Sequence, residues 1–105
     1  MADYVLVYTG GGMPETEEEQ ARVMKAWDDW YQDLGAAIKD GGNPFATGAK
    51  TVASDGSVSA VSGAPLTGYT IITADSFDAA VEKAKGSPIL PSGGQVHVYE
   101  TVPVM

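Results

Sequence analysis

Hydrophobic positions fall into distinct periods along the chain, and each period predicts an element. Between residues 16 and 39, Val23, Met24, Trp27, Trp30, Tyr31, Leu34 and Ile38 recur at spacings of one, three and four, which predicts a helix with one buried face. Thr16 followed by Glu19 reads as a capping box, Glu15, Glu17 and Glu18 suit the positive helix end, and Gly41-Gly42 supplies the stop. Before it, Tyr4-Val5-Leu6-Val7-Tyr8 is β-branched and aromatic, with apolar residues on both faces, and ends at Gly10-Gly11-Gly12. That predicts a strand central in its sheet and covered on each side.

Downstream, Lys50 to Ala53 and Val58 to Val61 flank Ser54-Asp55-Gly56-Ser57, a strong hairpin signal. Behind Pro65, the run Leu66 to Thr73 reads as a strand. Asp75 or Ser76 caps a second helix, in which Phe77, Ala80, Val81 and Ala84 fall at i, i+3, i+4 and i+7, with Gly86 closing it and Pro88 barring its continuation. In the last run, Val96, Val98 and Val102 alternate with Gln95, His97, Tyr99 and Thr101, giving one aliphatic and one functionalised face.

The order of strand, long helix, hairpin and strand, short helix, strand predicts an α+β chain. It fits a ferredoxin-like βαββαβ fold with an antiparallel sheet and an added β-hairpin. Two helices cover one sheet face. The face carrying Gln95, His97 and Tyr99 needs another cover, and a second copy of the chain is the economical one, so a homodimer is expected.

Composition narrows the partners. One hundred and five residues, 44% of them hydrophobic, make a single domain spanning 1–105. A net charge of -8 argues against nucleic acid and against an anionic membrane surface. With no cysteine there is no disulfide, thiolate metal site or cysteine nucleophile, and a cytoplasmic location is the default expectation. The run from Tyr4 to Tyr8 is too short for a signal-peptide core or a membrane span.

Several segments carry a family resemblance. The opening strand with its Gly-rich turn, Gly41-Gly42-Asn43-Pro44-Phe45, Ser54-Asp55-Gly56-Ser57-Val58 and Leu66-Thr67-Gly68-Tyr69 resemble the short YCII-related proteins, the DGPF-domain family. So do Asp75-Ser76-Phe77-Asp78-Ala79-Ala80, Ser87-Pro88-Ile89-Leu90 and Gly93-Gly94-Gln95-Val96. The resemblance implies a subunit of the dimeric α/β barrel type, in which two sheets face one another across a cleft. It also implies a superfamily containing cofactor-free monooxygenases, lactone isomerases and dehydrochlorinases. One branch of that family uses a histidine and an aspartate as an acid–base pair, the histidine lying early in the first helical region. Residues 15–40 contain no histidine here, Ser62-Gly63-Ala64-Pro65 stands in place of Asp-Gly-Pro-Phe, and His97 occupies a position where relatives often carry Glu. Fold and dimerisation are therefore carried over, and mechanism is not.

Candidate chemistry centres on His97, the only histidine, with Tyr99 two residues along on the same strand face. An imidazole there suits acid–base work near neutral pH, or else a hydrogen bond across a dimer interface. Tyr8, Asn43, Phe45 and Lys50 are expected ligand contacts, the loop from Asn43 to Lys50 closing one end of a cleft and Lys50 offering a cation to an anionic substrate. Gly10-Gly11-Gly12 lacks an accompanying Lys or Arg and is followed by Glu15, Glu17, Glu18 and Glu19, which argues for a flexible turn or a lid rather than a phosphate loop. Asp28, Asp29 and Asp33 belong to the solvated flank of the first helix, and Trp27, Trp30 and Tyr31 to the core. No metal and no cofactor is expected. The leading expectation is a homodimer binding a small organic molecule in an inter-subunit cleft. The alternatives are a cofactor-independent lyase, isomerase or dehydrohalogenase using His97, and a structural or regulatory dimer without a pocket.

Overall fold

Alternation along the first strand divides the molecule into two sides. In a computed structural model describing residues 2–12 and 14–103, β1 (Ala2–Thr9) buries Tyr4, Leu6 and Tyr8 on one side of the sheet. Val5 and Val7, on the other side, are half-buried. After β1 come α1 (Glu17–Leu34), β2 (Ile38–Asp40), β3 (Thr51–Val52), β4 (Val58–Ser59), β5 (Leu66–Ala74), α2 (Phe77–Ala84) and β6 (Gln95–Glu100). Four of the strands form an antiparallel sheet in the order β2-β5-β1-β6, and β3-β4 is a separate two-stranded hairpin. This is the ferredoxin-like α+β fold, with the hairpin inserted between its second and third sheet strands.

The core lies between the sheet and the two helices. Tyr4, Leu6 and Tyr8 of β1 and Ile72 and Ala74 of β5 meet Trp30 and Leu34 of α1 and Ala80 and Ala84 of α2. Aromatic edges lock this layer: Tyr8 to Trp27 at 5.4 Å between ring centres, Trp27 to Trp30 at 5.6 Å, and Tyr4 to Phe77 at 5.9 Å. Thr16 caps α1 by accepting the Glu19 N–H at 3.1 Å, and Ser76 caps α2 by accepting the Ala79 N–H at 3.1 Å.

Three local expectations need correction. Helix α1 stops at Gly35, whose φ of 51° and N–H bond to the Tyr31 carbonyl terminate it well before Gly41-Gly42. Ile38 accordingly opens β2 instead of extending the helix, supplying the edge strand that the hydrophobic period had absorbed. Met24 is 68% exposed, because only Val23, Trp27, Trp30, Tyr31 and Leu34 of the stripe face the sheet. The strand expected to be covered on both faces is covered on one within a single chain, as two helices allow. Among the described residues no helix is long and apolar enough to cross a membrane.

Candidate functional site

Register places His97 on the uncovered face, halfway along the edge strand β6. Val7 of β1 lies opposite His97 of β6 on one side and Tyr69 of β5 on the other, while Val5 lies between Tyr99 and Ile71. With Thr9, Thr67 and Gln95 these positions make a stretch of nine residues on three strands, none of them carrying a formal charge, bounded by Asp3, which lies on the same face opposite Thr73. Charge appears only at its margins: Lys39 of β2 pairs with Asp3 of β1, and Asp40 accepts the Tyr69 hydroxyl at 3.5 Å. The acids are elsewhere, with six on α1 alone. A neutral sheet face on a protein of net charge -8 is therefore a segregated surface.

His97 is half-buried, and its Nε2 lies 3.1 Å from the Thr9 hydroxyl, a bond whose direction depends on the tautomer. Among the described residues its hydrogen-bond partner is a hydroxyl and not a carboxylate. Tyr99 shares the face and is 62% exposed. Thr9 itself is fixed from behind: a β-carbon at Gly94 would sit 2.8 Å from the Thr9 carbonyl oxygen and 2.5 Å from Ile89. Gly10 and Gly11 adopt φ of 68° and 76°, and a β-carbon at Gly11 would meet Ile89 at 2.6 Å. Gly10 and Gly11 thus run close along residues 89–94, while Gly12 has open space around it.

Asn43 and Phe45 are held at the same end of the sheet. Pro44 bridges to Gly68, the Phe45 N–H donates to the Thr67 carbonyl at 2.9 Å, and the Phe45 ring stacks on Tyr69 with centres 5.8 Å apart. Gly42, with φ of 72°, passes so near the Tyr69 carbonyl that a β-carbon there would fall 1.7 Å from its oxygen. Thr67 Oγ1, opposite Phe45, is buried without a hydrogen-bond partner among the described residues. Thr67 and Thr9 had no distinguishing signal in the sequence. Their significance comes from strand register alone.

Tyr8 and Lys50 do not join this group. Tyr8 occupies an even position of β1 and so points to the helix side, 4% exposed, donating to the Thr70 hydroxyl at 2.6 Å. Thr70 in turn donates to the Gly41 carbonyl at 3.1 Å, which also accepts from Tyr31. Burial raises the Tyr8 phenol to about 12. It is a core residue, corrected here from the ligand contact that its place in an all-apolar strand suggested. Lys50 is exposed at the base of the inserted hairpin, directly before β3.

One open groove of about 630 Å³ runs between α1 and residues 85–92 beside Arg22, Trp30 and Lys85, and one of about 280 Å³ lies beside Asp3 and Lys39; neither includes His97. Among the described residues no three His, Asp or Glu side chains are grouped to hold a metal ion.

No protein-family model and no curated protein matches the sequence. Among solved structures, the chain is similar to 5-chloro-2-hydroxyhydroquinone dehydrochlorinase (TftG) from Burkholderia phenoliruptrix AC1100, in complex with 2,5-dihydroxybenzoquinone. The likeness has a TM-score of 0.55 at 20% identity and covers 94% of this chain and 93% of that one. At that identity the two chains share a fold, and the shared fold is the ferredoxin-like α+β sheet with two helices on one side.

Proposed function

We propose that the protein is a YCII-like homodimer in which two uncovered sheet faces enclose a cleft for a small, planar organic molecule, addressed by His97. The observation that carries this reading is the neutral face: Val5, Val7, Ile71, Tyr69 and Tyr99 lie on the same sheet face as one imidazole, and a second copy would meet it without like-charge repulsion. The chain is a plate of 45 × 38 × 18 Å, broad enough to offer the roughly 800 Å² per partner of a standard interface. Aromatic and β-branched side chains supply flat apolar walls, while His97 and Thr9 supply directional hydrogen bonds, the usual division of labour in a ligand site.

Ligand binding is favoured over acid–base catalysis because His97 is partnered by the Thr9 hydroxyl and by no carboxylate. The dehydrochlorinase likeness keeps a dehydrohalogenase-type activity as the second reading, with His97 moving the proton and Tyr99 positioning the substrate.

The test combines sedimentation with NMR of the single imidazole. A dimer is expected, together with a saturable shift of the His97 ring signals by 2,5-dihydroxybenzoquinone or a simple phenol. Thr9→Val should weaken that binding by up to about tenfold, the worth of one hydrogen bond. A monomer at all concentrations, or His97 signals indifferent to every quinone and phenol tried, would sink the proposal.

A further inference from the structure

The inserted hairpin is a built element with nothing of its own chain to rest on. Every residue from 43 to 66 is exposed, and β3 and β4 pack chiefly on each other. It accounts for an elongated molecule: the radius of gyration is 15.2 Å, against about 13 Å for a compact chain of this size. Yet its turn is well specified. Asp55 accepts the Ser57 N–H at 2.9 Å, which holds its carboxyl below the usual range, the Ala53 N–H donates to the Ser57 carbonyl at 2.8 Å, and Gly56 supplies the φ of 87°. A lone two-stranded hairpin is marginal in water.

The exposed apolar residues have a direction. Val52 and Val58 are cross-strand partners and therefore share one face, at 69% and 63% exposure. Val61, Leu66 and Phe45 continue the exposed apolar positions down the stem. The stem is rooted where β5 begins, and Leu66 lies opposite Thr9, which lies opposite Gln95. The hairpin thus leaves the sheet at the end nearest His97, joined to the neutral face through the Phe45–Tyr69 stack.

Charge leaves a second copy of the chain open as the occupant. Residues 43–66 hold one lysine, Lys50, and one acid, Asp55, so the whole net charge of -8 resides in the rest of the chain. A neutral valine-faced arm settles on a second, acidic copy without an electrostatic penalty, and it is continuous with the face that meets that copy. We propose that residues 46–65 form an arm that each protomer lays on the other, Val52 and Val58 downward, closing the His97 end of the inter-subunit cleft. This rests on the dimer reading above. The arm would bring Lys50 to that end of the partner's cleft.

Two measurements test the arm separately from the dimer. Val52→Asp combined with Val58→Asp should weaken dimerisation in sedimentation equilibrium at least about tenfold, since each buried valine is worth about that factor. Monomer folding should persist, because both side chains are solvent-exposed within their own chain. In the second, a nitroxide on Ser57→Cys is mixed with an unlabelled, ¹⁵N-enriched copy, and is expected to broaden the Thr9, Thr67 and Gln95–His97 amides of that copy. A wild-type dimer with an unchanged constant in the aspartate variant, or with no intermolecular broadening, overturns the arm and leaves the cleft dimer standing. A wild-type monomer at all concentrations overturns both.

Discussion

Trp30→Ala removes the side chain on which both helices converge. The indole is 5% exposed, touches Trp27 and Tyr31 with ring centres at 5.6 and 5.7 Å, and donates from Nε1 to the Lys83 carbonyl at 3.1 Å. It also abuts Gly86 so closely that a β-carbon there would lie 3.1 Å from Cδ1 and Nε1. Two losses follow from truncation: the apolar transfer of the ring and the cavity left between α1 and the end of α2. Together they amount to about 3–5 kcal/mol for a buried tryptophan. The hydrogen bond adds little, because the Lys83 carbonyl still accepts the Gly86 N–H at 3.2 Å. Trp30→Phe, which keeps most of the packing and loses only that bond and part of the ring, should cost about 1–2 kcal/mol. Reversible urea unfolding followed by far-ultraviolet circular dichroism measures both. Against a total of about 5–15 kcal/mol for a domain, the alanine variant is left marginal or unfolded. A cost below about 1 kcal/mol for Trp30→Ala would refute the packing assigned to α1, and equal costs for the two variants would refute the division between packing and hydrogen bond.

Three other perturbations read different parts of the molecule. Tyr8 has a folded-state pKa of about 12 against about 10 unfolded, so the unfolded state loses its proton first. About 2 kcal/mol of stability, present below pH 10, is therefore lost as pH rises to 12, and Tyr8→Phe should flatten that slope in urea midpoints taken across the range. Gly94→Ala drives a β-carbon to 2.5 Å from Ile89 and 2.8 Å from the Thr9 carbonyl, so it should cost about 1–3 kcal/mol and shift the His97 imidazole signals; unmoved signals would uncouple Gly94 from Thr9. Val7→Lys places a charge between His97 and Tyr69 on the neutral face and should abolish dimerisation with little change in the monomer's urea midpoint, which sedimentation and circular dichroism check together.

How far the sequence could be read depends on whether a property repeats along the chain. The two helix caps at Thr16 and Ser76, the hairpin turn at Asp55-Gly56 and the side of His97 and Tyr99 on β6 were legible, because each is set by local chemistry or by a period of two. The short edge strand β2 was not, because Ile38 continues the helical period of α1 and only the positive φ at Gly35 breaks it. Tyr8 was misassigned for a related reason. In an all-apolar strand the pattern does not say which parity faces the helices, and the Thr70 hydroxyl that receives the Tyr8 proton is 62 positions away. Thr9 and Thr67 were silent because their roles come from register between strands distant in sequence.

One contrast ties the site to the assembly. The helix side of the sheet satisfies its polar atoms internally, from Tyr8 through Thr70 to the Gly41 carbonyl, whereas the opposite side leaves Thr67 Oγ1 buried without a partner among the described residues and Tyr99 largely in solvent. A buried hydroxyl without a partner costs about 1–3 kcal/mol. A second molecule laid on this face would give Tyr99 an apolar wall, and the middle of the same face excludes the formal charge carried so heavily elsewhere. The surface that a single chain leaves least complete is thus also the one on which, in the proposed dimer, an acidic protein would meet its copy, or an aromatic ligand, at low electrostatic cost.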